Sequence, residues 1–180
     1  MNDIADFQLA SANWSLAFGF WTSYFKLAIG NRTSATNIKL TEDNMEHASG
    51  TFEVKLTPEE DKTGEAIVGR MTIDKQLQGD IEGTSKGLMV MTGTPVQGSA
   101  GYVALEKVTG SIKGLTGSFY LQHHGIMNRG VGELKVIVVP DSGTGDLTGL
   151  SGSFSIKIEG GKHFYDFEYS ITKQASSKTN

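Results

Sequence analysis

The chain contains no cysteine and only 3 prolines in 180 residues. The first absence excludes a disulfide framework, a thiolate zinc site and a cysteine nucleophile, but leaves the compartment open, because cysteine-free proteins fold in reducing or oxidising surroundings. Basic residues are scattered and the formal net charge is -4. That distribution lacks the clustered positive field of a nucleic-acid binder, so no nucleic-acid partner is expected. Glycine, by contrast, is abundant: of 23, all but Gly19 and Gly30 lie beyond residue 45. With no collagen-like period, they imply many short elements joined by tight turns. The length suits one domain with a real core.

The first 44 residues do not share the pattern of the rest of the chain. Trp14, Phe18, Trp21, Phe25 and Ala28 fall at helical spacing, yet Leu16, Phe20, Tyr24 and Leu27 make the opposite face apolar as well. A secretory signal needs a basic start, whereas Asp3 and Asp6 precede this run. From Phe7 to Ile29 only Lys26 is charged, but Gln8, Ser11, Asn13, Ser15, Thr22 and Ser23 dilute the stretch, so a membrane span is the lesser reading. Residues 1–44 are thus expected to be a helical or disordered extension, and a natural start at Met45 is an alternative. Codons for Thr41-Glu42-Asp43-Asn44 can spell a purine-rich ribosome-binding sequence just before the Met45 codon. The expected location is cytoplasmic.

After Ser49 the period becomes two. Phe52, Val54 and Leu56 alternate with Thr51, Glu53 and Lys55, which marks a strand with one buried face. Further runs span about Ala66 to Gln78, Asp80 to Met91, Gly98 to Val108, Lys113 to His124, Gly132 to Val139, Leu150 to Glu159 and Lys162 to Ile171, eight strands in all. An internal repeat supports this division. The segment from Thr109 to Phe119 recurs from Thr144 to Phe154, and Gly79-Asp80-Ile81-Glu82-Gly83 is a fainter third copy. Its glycines suit positive φ and close backbone approach at a barrel rim, whereas neither glycine-rich phosphate motif, GxxxxGK[ST] or GxGxxG, occurs. The fold class expected is all-β, a closed eight-stranded antiparallel barrel over residues 45–180.

Several stretches resemble a bacterial family of unknown function. They are Gly50-Thr51-Phe52-Glu53-Val54-Lys55-Leu56, Gly69-Arg70-Met71-Thr72-Ile73-Asp74-Lys75, Gly98-Ser99-Ala100-Gly101-Tyr102-Val103-Ala104, Val138-Val139-Pro140-Asp141-Ser142-Gly143-Thr144-Gly145, and the segments from Gly117 to His123 and Gly161 to Tyr169. The resemblance covers Met45 to Asn180 and implies a barrel like that of allene oxide cyclase. The run Gly143-Thr144-Gly145-Asp146-Leu147-Thr148-Gly149-Leu150-Ser151-Gly152 is also similar to the glycine motif of that cyclase and of dirigent proteins. No activity comes with the family.

The repeat fixes which side chains face inward. Phe154, Ile156 and Ile158 alternate with polar neighbours, so by equivalence Phe119, Leu121 and His123 face the interior. His124 then points outward, and the two histidines cannot chelate one metal; no metal or cofactor is expected. Antiparallel order groups His123, Asn128, Ile158, His163 and Gln97 at one mouth. Glu106, read as lying near the far end of its strand, is expected to be out of reach of His123. The ordinary account of His123 is a hydrogen-bonded core histidine, and the sharper one an acid/base or ligand-orienting group. His163 and Tyr165 read first as rim and wall residues and would be the next contacts, Arg129 reads first as a solvated turn residue that could also hold an anion at the mouth, and Tyr102 would line the lumen unless Val103 and Leu105 take that face.

Three functions follow as expectations. The first is a barrel binding an apolar or amphipathic small molecule. The second is a cofactor-independent isomerase or cyclase using His123. The third is an oligomerisation module, since apolar outer faces carrying Val103, Leu105, Ile137 and Val139 would favour a homo-oligomer.

Overall fold

A computed structural model describes residues 45–60 and 67–172. The helical or disordered reading of the N-terminal extension and the alternative of a start at Met45 concern residues 1–44, which lie outside the described part. Eight strands close into an antiparallel barrel in simple sequential order: β1 (Glu46–Pro58), β2 (Gly69–Gly79), β3 (Ile81–Gly93), β4 (Ala100–Ile112), β5 (Leu115–Asn128), β6 (Val131–Val138), β7 (Leu150–Glu159) and β8 (Lys162–Ile171). The all-β barrel implied by the alternating pattern is the fold found. Among the described residues no helix is long and apolar enough to cross a membrane.

The alternation sorts side chains as the repeat predicts. Phe119, Leu121 and His123 are buried with Phe154, while Tyr120, Gln122 and His124 are exposed. Of the competing faces of β4, Tyr102, Ala104, Glu106 and Val108 point inward, and Val103 and Leu105 are 53% and 55% exposed outside. On β8, Tyr165, Phe167 and Tyr169 are buried and form an aromatic inner face. Phe167 stacks on Phe119 and Tyr169 with ring centroids 5.9 and 5.1 Å apart, a spacing at which aromatic pairs add to simple burial.

One end of the barrel is stoppered by the repeat. Its apolar residue, Ile81, Ile112 or Leu147 in the three copies, is no more than 1% exposed each time, and all three join one core cluster. The second copy holds the first: the Asp146 carboxylate accepts from the Thr116 backbone N–H and hydroxyl, both at 3.0 Å. Gly114 and Gly149 occupy the same repeat position and share a left-handed backbone, with φ of 88° and 83°, which favours glycine. The copies differ in one respect. Thr109–Ile112 ends a strand, whereas Gly145–Leu147 is a 3-10 turn folded over the barrel end.

The opposite end is built differently. Inward-facing Leu56, Met71, Met91, Tyr102, Ile156 and Ile158 stay half-buried there. The seam between β6 and β7 is also incomplete: the two strands pair only at Ile137 and Ser153, against eight or more pairs across β5–β6 and β7–β8. Beyond that pair the ladder is not continued toward this end.

Candidate functional site: a buried ionic network in the lumen

Alternation places two charged residues on strand faces that are otherwise apolar or small. On β2 the inward series is Met71, Ile73, Lys75 and Leu77, and on β4 it is Tyr102, Ala104, Glu106 and Val108. Ser85 holds the matching place on β3, directly paired with Lys75. The three strands are consecutive, and Ser85 pairs with Val108, two residues from Glu106 on the same face, so Lys75, Ser85 and Glu106 form a polar cluster on one wall. Gly87 faces Glu106 in the ladder, and a side chain there would run into Glu106 itself.

The carboxylate of Glu106 is the hub. Its Oε1 accepts from Lys75 Nζ at 2.7 Å and from His123 Nε2 at 2.8 Å, and its Oε2 accepts from Ser85 Oγ at 2.8 Å. Side-chain exposure is 8% for Lys75, 4% for His123 and 1% for Glu106. Burial by itself would raise the Glu106 pKa, but the charge of Lys75 and the hydrogen bonds and charge of its two partners prevail and hold it down to about 2. An ionised carboxylate has no proton to give, so His123 donates from Nε2. Lys75 also lies over the Phe52 ring, 5.0 Å from its centroid, and Phe52 in turn contacts His163 at 5.0 Å. Burial first, and the Lys75 charge second, push His163 below the ordinary histidine value.

The contact between Glu106 and His123 corrects the sequence expectation that they lie too far apart. That expectation ended the fourth strand at Val108 and the fifth at His124. Both continue, to Ile112 and Asn128, so Glu106 sits in mid-strand. His123 pairs with Ala104, and Glu106 lies two residues further along on the same face, a diagonal neighbour within reach of long side chains.

The other sequence candidates fall into three places. Tyr102 lies on the lumen wall beside the network, its ring stacked over Gly125, where any Cβ would collide with it. Burial, then the Glu106 charge, raises its phenol pKa. Gln97, Asn128 and Arg129 are exposed at the half-open rim, with the Arg129 N–H donating to Ser99 Oγ at 3.1 Å. Tyr165 belongs elsewhere: its hydroxyl accepts from the Ile81 N–H at 2.8 Å, in the β2–β3 turn at the stoppered end. The structure therefore brings His123 and Tyr102 to the network, with His163 beyond Phe52, and keeps Tyr165 apart. Lys75 and Ser85 are the members that sequence reasoning missed, and Glu106 the one it set aside as out of reach. Their signal was present: each sits at the parity of its strand that the apolar residues define.

His123 can now be tested against its sequence-based substitute. The repeat supplies Ile158 at the equivalent inward position, but isoleucine would remove a donor from a buried carboxylate. His123→Ile is expected to lower unfolding free energy by about 1–3 kcal/mol, measured by urea denaturation. A variant as stable as wild type would show that Lys75 and Ser85 suffice for Glu106.

Fold and site define a small closed barrel with an ion pair and a histidine buried in its lumen. Residues 48–169 match the model of a protein family of unknown function, DUF3224, and the chain belongs to that family. A crystal structure of a DUF3224 protein of unknown function from Shewanella oneidensis MR-1 is 47% identical, with a TM-score of 0.68, over 72% of this chain and 99% of that one. No curated protein matches. The barrel is compatible with the allene oxide cyclase-like architecture that the sequence resemblance implies.

Proposed function

We propose that the barrel receives an amphipathic small molecule through its half-open end, its apolar body among Leu56, Met71, Met91 and Ile156 and its polar head toward Lys75 and His123. The observation that carries this reading is the Lys75–Glu106–His123 network inside an otherwise apolar lumen. Desolvating an ion pair is costly, and apolar residues of similar volume often serve stability as well or better, so its presence favours a role in recognition. The contrast between the two ends supports it. One is filled by the repeat, and at the other the inward-facing side chains keep accessible surface.

The 2.8 Å contact between His123 and Glu106 favours a second reading, a cofactor-independent isomerase or cyclase. A carboxylate holding Nε2–H leaves Nδ1 of a neutral imidazole as the basic nitrogen, the arrangement a general base requires. Turnover of a bound molecule would separate this reading from simple binding.

The reading includes a cytoplasmic location and self-association. Support for the latter is an outer apolar strip in which Val103 and Leu105 pair with Val90 and Leu88 of β3. Native mass spectrometry of protein purified from its own host tests the binding and the association. The expected spectrum shows a retained small molecule on a homo-oligomer; a ligand-free species from several growth conditions would count against binding, and a monomer against association.

A further inference from the structure

Apart from His123 Nδ1 the network offers donors rather than free acceptors, and this bears on the head group. Glu106 already accepts three hydrogen bonds, shared between both oxygens. Lys75 has three N–H donors, and among the described residues only Glu106 takes one. A molecule arriving from the half-open end therefore meets a cation over the Phe52 ring whose remaining N–H groups have no hydrogen-bond acceptor among the described residues. Above them lies a wall of soft and aromatic surface. Met71 pairs with Met89 across β2–β3 and Met91 with Tyr102 across β3–β4, while Ala104, small and inward, separates Tyr102 from Glu106 on the same face. Thioethers adapt to flat surfaces and make favourable contacts with aromatic rings.

We infer that the lumenal site is selective for aromatic carboxylates, with the ring held among Met71, Met89, Met91 and Tyr102 and the carboxylate accepting from Lys75. This rests on the lumenal binding reading and adds the chemical class of its ligand. A cationic head group would face Lys75 directly, and a neutral alcohol would gain a hydrogen bond without the charge.

Three probes of one shape test it on the full chain: 2-naphthoate, 2-naphthalenemethanol and 2-naphthylmethylammonium, compared by isothermal titration calorimetry at neutral pH. The acid is expected to bind about tenfold tighter than the alcohol, with the amine weakest. Methyl signals of Met71, Met89 and Met91 should move with the ring current of the acid. In Lys75→Met the preference for acid over alcohol should vanish, and in Glu106→Gln the acid should bind about tenfold tighter, because Lys75 no longer shares its charge. Equal binding of acid and alcohol by wild type, or a preference for the amine, overturns the inference while leaving lumenal binding standing. Binding that moves only methionine signals outside the lumen wall overturns it too. No binding of any probe up to about 1 mM overturns both readings. The wild-type comparison decides the matter even where a variant fails to fold.

Discussion

Glu106→Ala is expected to destabilise the barrel by about 3–5 kcal/mol, the range found when one partner of a buried ion pair is removed. The reason is local. Without the carboxylate, Lys75 keeps a charge in a site where its side chain is 8% exposed, and the donors of His123 and Ser85 lose their acceptor together. A loss of that size is a large share of the stability of a domain this small, so Tm should fall well below wild type. Urea denaturation followed by circular dichroism is the measurement. The double variant Lys75→Met, Glu106→Ala gives the diagnostic comparison. It removes both charges, and should recover much of the loss if the penalty comes from the orphaned ammonium rather than from the cavity. If the double variant is as unstable as the single, the cavity term dominates and the network is chiefly packing.

The residues behind this prediction are partly legible in the sequence. Strands with clean alternation between turn signals, Leu150–Glu159 and Lys162–Ile171, have the bounds that the sequence pattern predicts. The fourth and fifth come out too short because glycine serves as punctuation. Gly110 and Gly125 lie inside their strands. Gly110 comes close to the Glu82–Gly83 backbone of β3, and Gly125 makes room for the Tyr102 ring. A glycine that ends a strand and one that lets a barrel wall pass close to another look alike in a sequence. That ambiguity displaces Glu106 toward a strand end and separates it from His123. The inward facing of His123 is sound because it comes from parity, which survives an error in strand length. The same parity marks Lys75 and Glu106. A charged residue there reads as a mistake in the pattern until its partner is known, and the partner lies on another strand, set by register that alternation within one strand does not encode. The third repeat copy behaves in the opposite way: its apolar Ile81 packs with Ile112 and Leu147 as internal symmetry suggests, because the same local device serves the same end of the barrel.

Acidification should expose the Glu106 contribution with a definite sign. The Glu106 pKa is about 2 in the folded barrel against an ordinary 4.5, lowered by the Lys75 charge and by the bonds from His123 and Lys75 against the opposing effect of burial. A carboxylate whose folded pKa is depressed stabilises the fold fully above its unfolded value and loses that contribution as pH falls through its folded one. The window therefore runs from about pH 5 down to about pH 2, and the amount lost is about 3 kcal/mol. His163 is depressed as well, by burial and then by Lys75, and adds its own loss below the ordinary histidine range. The Glu106→Gln protein carries His163 too, so the difference between the two proteins reports mainly Glu106. At about pH 6 wild type should be the more stable, because glutamine bonds Lys75 without neutralising it. As acid protonates Glu106 the two stabilities should converge, reaching near-equality at about pH 2, where the glutamate is half protonated and approaches its amide analogue. Stability curves from urea titrations at closely spaced pH values check this. A gap that stays constant from pH 6 to pH 2, each value taken to about a tenth of a unit, would mean that Glu106 titrates alike in the folded and unfolded chain, so that the contacts with Lys75 and His123 do no more than offset its burial.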